Sequence, residues 1–164
     1  ADEKAEGDVG EWSRDELEAT FASYLAASAL AAETGDWGPF GEHFTDDCVY
    51  LEHLMGEMHG RDEVLAFYRR SMVDEYPGNC IAEFPVEWHV VDEERGWILF
   101  QAWSVMEDPG DGSVHRAYNF TLIKYAGDGR FHYQEDIYNP MTFAGMIAEW
   151  EAVRARHGAG PASA

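Results

Sequence analysis

The acidic side chain of Asp136 is a candidate for proton transfer. It follows a Gly127-Asp128-Gly129 segment, which is typical of a β-hairpin turn. Alternation along the strand that starts there places four side chains on one face: His132, Gln134, Asp136 and Tyr138. Both faces of this strand carry aromatic residues, which indicates that it is covered on both sides. A carboxyl group among aromatic rings loses hydration, and this loss favours its protonated form.

Two interpretations of Asp136 follow. In the first, its carboxyl group exchanges protons with a bound molecule. In the second, it is a structural carboxylate that accepts hydrogen bonds from backbone N–H groups or pairs with an arginine. The residues alone leave both open.

A second carboxyl group, that of Glu52, is predicted to lie near Asp136. The run from Asp47 to His53 alternates as a strand, with Cys48, Tyr50 and Glu52 on one face. Two neighbouring carboxyl groups in a dry pocket share protons unequally, which would leave one as an acid and one as a base. The alternative is that Glu52 caps the end of its strand in water.

Three tyrosines are candidate donors to a developing negative charge: Tyr24, Tyr50 and Tyr118. In a site that excludes water, such a donor contributes about 3 to 4 kcal/mol. The alternative is that each tyrosine is a core residue whose hydroxyl is bound by its neighbours.

Composition restricts the classes of partner. The chain has 164 residues, 46% of them hydrophobic, which is enough for one sizeable core. Its formal charge of -21 repels phosphate backbones and anionic lipid surfaces, so we expect neither nucleic acid nor membrane as a partner. The same charge could attract a cationic ligand, but solubility and colloidal stability are the favoured explanation.

The two cysteines, Cys48 and Cys80, have the spacing of neither a disulfide framework nor a metal site. We therefore expect reduced, buried thiols and a cytoplasmic protein. An exported, cleaved product is the alternative.

The chain is predicted to form a single domain over residues 12–157, between a disordered acidic leader (1–11) and a disordered tail (158–164). Helices are expected from Ser13 to near Gly35, around Pro39, over 60–76 and over 142–156. Strands are expected over 47–53, 81–91, 97–107 and 115–125, and after Gly129. A bent antiparallel sheet with helices on one face is an α+β domain with a concave cavity.

This order of elements resembles the nuclear transport factor 2-like superfamily. The resemblance is carried by Tyr50-Leu51-Glu52, by His59-Gly60-Arg61-Asp62-Glu63-Val64 shortly after it, and by the terminal Asp-Gly-Arg strand. SnoaL-like polyketide cyclases, ketosteroid isomerases and limonene epoxide hydrolases look closest. The resemblance implies a cone-shaped α+β barrel, with helices on the concave side of a curved antiparallel sheet. It also implies a deep apolar pocket that needs no metal or organic cofactor, and a homodimer formed through the convex sheet face.

The resemblance assigns roles to individual residues. Asp136 falls where SnoaL-like cyclases place an acid/base aspartate and where epoxide hydrolases place one catalytic aspartate. Tyr50 falls on the water-binding tyrosine of the epoxide hydrolases, but Glu52 replaces their asparagine. Their Arg-x-Asp pair would fall on Gln101 and Trp103, where both functional groups are missing.

Ketosteroid isomerases offer a different match. Tyr24 could supply their first-helix tyrosine, and Tyr118 falls near their acidic hydrogen-bond donor. Glu52 lies one residue from the position of their carboxylate base. Every element is therefore substituted or shifted.

Strand phases assumed from the family complete the predicted site. The catalytic set is Asp136, Glu52, Tyr50, Tyr24 and Tyr118. The substrate-binding set is Trp103, Gln101, Phe120, His132, Trp88 and Tyr138, and no residue is predicted to bind a metal.

The expected function is acid/base chemistry, without a cofactor, on a hydrophobic cyclic carbonyl compound of polyketide or steroid type. One alternative is addition or removal of water, as in epoxide hydrolysis or dehydration, with a water held by Tyr50 and Asp136. Another is a non-catalytic ligand-binding or dimerisation module. That module would have its pocket filled by its own aromatic rings and Asp136 in a salt bridge.

Overall fold

The computed structural model describes residues 11–157. The predicted disorder of residues 1–10 and 158–164 lies outside the described residues, and Glu11, the last residue of the predicted leader, is exposed. The helices are α1 (Arg14–Thr34), α2 (Gly38–Gly41), α3 (Arg61–Arg69) and α4 (Pro140–Arg156); a π-helical turn (Arg70–Asp74) continues α3, and a short 3-10 helix (Gly78–Cys80) follows. The strands are β1 (Phe44–Glu52), β2 (Gly56–His59), β3 (Ile81–Glu83), β4 (Val86–Asp92), β5 (Trp97–Met106), β6 (Arg116–Gly127) and β7 (Arg130–Ile137).

Local sequence signals set the ends of the first helix and the last hairpin. The Ser13 side chain accepts a hydrogen bond from the Glu16 backbone N–H at 3.2 Å, and Gly35 ends α1 in the left-handed conformation. Asp128 and Gly129 both have positive φ angles and join β6 to β7 in a two-residue turn. The predicted first helix and hairpin are confirmed.

The strands form one curved sheet in the order β2-β1-β7-β6-β5-β3, and β4 also pairs with β5. Neighbouring strands run antiparallel except β1 and β7, which are parallel. The expectation of an antiparallel sheet is therefore corrected to a mixed sheet, because hydrophobic alternation within a strand does not encode its partner's direction. The fold class, an α+β cone with helices packed on a curved sheet, is confirmed.

Two further details differ from the prediction. Strand β2 was missed because its four residues are mostly exposed and show no apolar alternation. The single strand expected over 81–91 is two strands, β3 and β4, separated by Phe84 and Pro85. Proline has no N–H to donate to the sheet, so pairing stops there.

The main core lies between the sheet and helices α1, α2 and α3. It includes the buried residues Leu17, Phe21, Phe40, Phe44, Val64, Ile98 and Phe131. A second cluster, formed by Cys80, Met106, Ala117, Met146 and Trp150, holds α4 against β5 and β6. Both cysteines are buried and free. Among residues 11–157, no helix combines the length and the apolar character that crossing a bilayer requires.

Substituting Gly78 with alanine should destabilise the protein strongly. A Cβ atom at this position would lie 1.8 Å from the backbone carbonyl oxygen of Ser71, so backbone must move. We expect a loss of about 3 kcal/mol in the free energy of unfolding, measured by denaturant titration. The matched control is Gly145→Ala in α4, where a Cβ meets no atom within 4 Å and helix propensity predicts a gain of up to about 1 kcal/mol. Equal stability of the two variants would contradict this packing.

Candidate active site

A cavity of about 490 Å³ lies on the concave side of the sheet. Its volume is within the range of pockets that hold small organic molecules. Most of its lining is apolar or aromatic, and includes Leu25, Trp37, Phe40, Phe67, Phe84, Val86 and Phe100. Polar side chains converge on one part of it: Tyr24, Tyr50, Glu52, Tyr68, Asn119, Thr121, Gln134, Asp136 and Tyr138.

Asp136 lies at the centre of these polar groups. The Tyr50 hydroxyl donates a hydrogen bond to its Oδ2 atom. The Thr121 hydroxyl donates to Oδ1 at 2.6 Å, and the Gln134 amide donates to the same atom at 3.4 Å. The partners of Asp136 among the described residues are therefore side chains, rather than the backbone N–H groups or arginine of the structural interpretation.

The surroundings of Asp136 favour its protonated form. Burial raises the pKa of its carboxyl group, and the negative charge of Glu52 raises it further. The hydrogen bonds from Thr121, Tyr50 and Gln134 act in the opposite direction but do not cancel the effect of burial. The side chain keeps some accessible surface because it faces the cavity. A bound molecule can therefore reach a carboxyl group that holds a proton at higher pH than an ordinary aspartate does.

Gln134 fixes the polar groups around Asp136. It is 2% exposed, accepts a hydrogen bond from the Tyr24 hydroxyl at 2.9 Å, and donates one to the Tyr68 oxygen at 3.0 Å. Burial raises the pKa values of Tyr24, Tyr50 and Tyr68, so these hydroxyls stay protonated. The network links α1, α3 and β7 through buried neutral groups and presents hydroxyl groups to the cavity.

Glu52 lines the cavity and also caps the end of its strand. It is 5% exposed, lines the cavity and sits beside Asp136 in the parallel register of β1 and β7. Its Oε2 atom accepts hydrogen bonds from the backbone N–H groups of Leu54 at 2.9 Å and Met55 at 2.6 Å. It therefore caps the end of its strand, as its alternative interpretation proposed, but inside the cavity rather than in water. Burial, and then the Glu52 carboxylate, raise the pKa of the nearby Tyr138 hydroxyl.

Five of the predicted site residues lie on the opposite face of the sheet, so the assumed phase of β5 and β6 is wrong. Trp88, Gln101, Trp103, Tyr118 and Phe120 are not among the cavity-lining residues. Trp88 donates to Gln101 at 3.0 Å, Trp103 donates to Glu87 at 2.7 Å, and Tyr118 is 44% exposed. The cavity face of these two strands carries instead Phe100, Ala102, Ser104, Asn119 and Thr121.

The phase of β5 and β6 was assumed from the family. The residues do not decide it, because both faces of these two strands carry apolar side chains. His132 is exposed and away from the cavity, because the pairing of β7 shifts register near Phe131. Tyr138 lines the cavity as expected.

Sequence reasoning missed several residues of the polar cluster: Tyr68, Asn119 and Thr121. The signal for Asn119 and Thr121 was present, since two polar residues at positions i and i+2 of an aromatic strand share a face. Tyr68 gave no such signal, because its position in α3 fits the apolar period of a core residue.

The outer sheet face is rich in aromatic rings with basic side chains over them. The Arg116 guanidinium lies 4.0 Å from the Trp103 ring centre, and the Lys124 amine lies 4.1 Å from that of Tyr133. Homodimer formation through this face stays a prediction.

Known proteins match this chain in structure but not in sequence. No protein-family model and no curated protein matches it. A SnoaL-like protein from Jannaschia sp. has 16% identity and a TM-score of 0.64, over 84% of this chain and 96% of its own. An NTF2-like protein from Anabaena variabilis has 12% identity and a TM-score of 0.58, over 79% of this chain and 96% of its own. The chain has the NTF2-like fold.

A third similar structure with the NTF2-like fold is an LEH-like epoxide hydrolase from M. tuberculosis. It has 16% identity and a TM-score of 0.62, over 87% of this chain and 92% of its own. Identities this low show the fold alone. Within residues 11–157 of this NTF2-like chain, no group of three or more His, Cys, Asp or Glu side chains is arranged to hold a metal ion.

Proposed function

We propose that this protein is an enzyme that moves a proton next to the carbonyl group of a hydrophobic, cyclic small molecule, without a cofactor. The observation that supports this most is Asp136, a carboxyl group with a raised pKa that faces an apolar cavity of about 490 Å³. A general base works best when its pKa lies near the working pH, and burial moves an aspartate in that direction.

The proposed reaction begins with the ionised form of Asp136. Its carboxylate takes a proton from the carbon next to the carbonyl. The electron pair of the broken C–H bond forms a carbon–carbon double bond, and the carbonyl π electrons move to oxygen, which gives an enolate. In a substrate with a second double bond conjugated to the enolate, Asp136 can return the proton to the far carbon of the extended system, which is isomerisation. If the enolate carbon instead attacks a second carbonyl group in the same molecule, the π electrons of that group move to its oxygen, Asp136 returns the proton to this oxygen, and a ring closes.

A neutral tyrosine hydroxyl in the cavity would stabilise the enolate. Tyr68 accepts a hydrogen bond from Gln134, and its own proton is left to donate to a ligand. The hydroxyl protons of Tyr24 and Tyr50 are already donated to Gln134 and Asp136. Donors fixed in a site of low water content stabilise a developing oxyanion by about 3 to 4 kcal/mol each.

The role of Glu52 as a second acid/base group beside Asp136 stays a prediction. The two backbone N–H groups bound to its Oε2 atom stabilise a fixed anion. A fixed negative charge beside Asp136 helps to keep the pKa of Asp136 raised, which is a supporting role rather than a transfer step.

Addition or removal of water is the alternative within enzymes. The hydroxyl of Thr121 and the amide of Asn119, next to Asp136, could hold a water. The Arg-x-Asp positions implied by the epoxide hydrolases, Gln101 and Trp103, lie on the outer face, and the cavity side of β5 carries Phe100, Ala102 and Ser104. Incorporation of isotope-labelled water into the product would favour this alternative.

The non-catalytic alternative predicts a filled pocket and a salt-bridged Asp136. Instead there is an open cavity, and among the described residues the ion pairs do not include Asp136. These two observations favour a site that takes a ligand.

Proton exchange in D₂O tests the proposed function without knowledge of the natural substrate. A panel of cyclic ketones, from decalones to steroid ketones, is incubated with the protein, and deuterium uptake next to the carbonyl is followed by mass spectrometry. We expect accelerated uptake for at least one ketone, and inhibition when a non-exchangeable apolar analogue fills the cavity. Uptake at the uncatalysed rate for the whole panel would overturn the proposal.

A further inference from the structure

All the charged side chains that line the cavity are acidic. Three carboxylate side chains line it, those of Glu52, Glu75 and Asp136, whereas none of the lining residues is lysine, arginine or histidine. Glu75 is exposed and lies 3.9 Å from Arg70, so its charge is partly matched. The two inner carboxyl groups, Glu52 and Asp136, have no basic partner among the described ion pairs.

The inner end of the cavity therefore has negative charge without a positive counter-charge, and a cationic ligand can supply that counter-charge. The backbone N–H groups at the Glu52 Oε2 atom replace part of the hydration that is lost on burial, but they bring no net positive charge. Glu52 keeps only 5% of its surface exposed, and it faces a second carboxyl group across the parallel strands. A positive charge placed between them would be attracted to both.

The aromatic walls of the same cavity suit a cation attached to apolar rings. Trp37 stacks on Tyr68 with their ring centres 4.5 Å apart. Tyr50 also stacks on Tyr68, with a distance of 5.8 Å between the ring centres. Phe67 packs edge-on against both tyrosines. A ring face that is left open to the cavity attracts an ammonium group, and more strongly where water is excluded.

We infer that the molecule bound in this cavity carries a protonated or quaternary amine, with its positive charge near Glu52 and Asp136 and its apolar rings against the aromatic wall. This inference rests on the proposed function in placing the substrate in this cavity, and it names the chemical class of that substrate. The net charge of -21 acts in the same direction, because it draws cations toward the protein from solution.

Cation binding would also prepare the proton-transfer step. A positive charge near Asp136 stabilises the ionised carboxylate, which is the form that accepts a proton. Substrate binding and activation of the base would therefore be coupled in one cavity.

A pair of probes that differ in one atom tests the inference. The cation is (2-naphthylmethyl)trimethylammonium, and its neutral counterpart is 2-neopentylnaphthalene, in which carbon replaces nitrogen. Binding to the full chain is measured by fluorescence titration at high salt, because the Debye length at 1 M ionic strength is only about 3 Å and the field of distant surface charges is screened. We expect the cation to bind at least about tenfold more tightly than the neutral probe.

Two variants show which charge produces the preference. Glu52→Gln keeps the shape and an oxygen acceptor for the backbone N–H groups, and it should reduce the preference severalfold. Glu149→Gln removes one negative charge from the exposed surface of α4 and should leave the preference unchanged. If Glu52→Gln fails to fold, the wild-type ratio of affinities still decides the matter.

Equal or tighter binding of the neutral probe, or no binding of either probe, would overturn the inference. Its failure is distinct from failure of the proposed function. Ketone exchange without a preference for the cation would leave the function standing and reject the amine. A preference for the cation without exchange of any ketone would support the amine and reject the proposed function.

Discussion

Replacing Asp136 with asparagine should slow deuterium exchange of an active ketone by about 100- to 10,000-fold, the usual contribution of a general acid or base. The amide is close in shape to the carboxylate, and its single oxygen can accept a hydrogen bond from Tyr50 or from Thr121, which donate to different carboxylate oxygens. The amide cannot take a proton from carbon. The measurement is the initial rate of deuterium uptake at saturating ketone, which separates the chemical step from binding.

The matched control for this substitution is Asp47→Asn. Asp47 lies on β1 but is exposed and does not line the cavity, so the same chemical change there should leave the rate unaltered. An unchanged rate in Asp136→Asn, with its circular dichroism spectrum intact, would remove Asp136 from the mechanism.

Removing the Tyr50 hydroxyl with phenylalanine should move the pH dependence of exchange to higher pH. The base is active only when ionised, so exchange rises with pH through the pKa of Asp136, which lies above that of an ordinary aspartate. The Tyr50 hydrogen bond stabilises the ionised form and lowers that pKa; without it the pKa rises further. At pH values below the pKa of Asp136, where the ionised fraction limits the rate, we expect a rate loss of about 10- to 100-fold, the contribution of a hydrogen bond to a charged group.

Tyr118→Phe is the control for that substitution, because it removes the same hydroxyl from a tyrosine on the outer sheet face. Its pH profile should match that of the wild type. A shift to lower pH in Tyr50→Phe, or a comparable effect of Tyr118→Phe, would show that the contacts of Asp136 described here do not govern its ionisation.

The predicted site residues that line the cavity lie on β1 and at the end of β7, apart from Tyr24 on α1. On β1 the alternation is clear from Cys48 onward, because Cys48, Tyr50 and Glu52 are buried and the residues between them are half-buried. On β7 the two-residue turn at Asp128 and Gly129 sets where the strand begins. Side chains on these two strands meet because residues paired across neighbouring strands point to the same side of a sheet.

The central strands show the limit of the same reasoning. Their outer face carries Trp103, Tyr118 and Phe120, and their inner face carries Ala102 and Asn119. The inner face also carries Phe100, so both faces of these strands hold large apolar residues. Local patterning does not choose between the two phases, and the phase assumed from the family was the wrong one. Pairing between β1 and β7 also depends on contacts distant in sequence, which no local pattern specifies.

The proposed reaction and the proposed ligand class depend on the same pair of carboxyl groups. Glu52 is held by backbone N–H groups and supplies a fixed charge, whereas Asp136 is held by side chains and faces the open cavity. Their different environments separate their roles, one carboxylate for attraction and one for proton transfer. A substrate with both an amine and a carbonyl group would use both.

The most direct test of the central claim is a pH titration of Asp136 itself. Protein labelled with ¹³C at aspartate carboxyl carbons is followed by NMR, and the resonance of Asp136 is identified by its absence in Asp136→Asn. We predict that this resonance titrates at higher pH than the exposed aspartates of the same protein, and shifts further upward in Tyr50→Phe. Titration in the ordinary aspartate range or below it would contradict the claim that burial prepares this carboxyl group to transfer a proton.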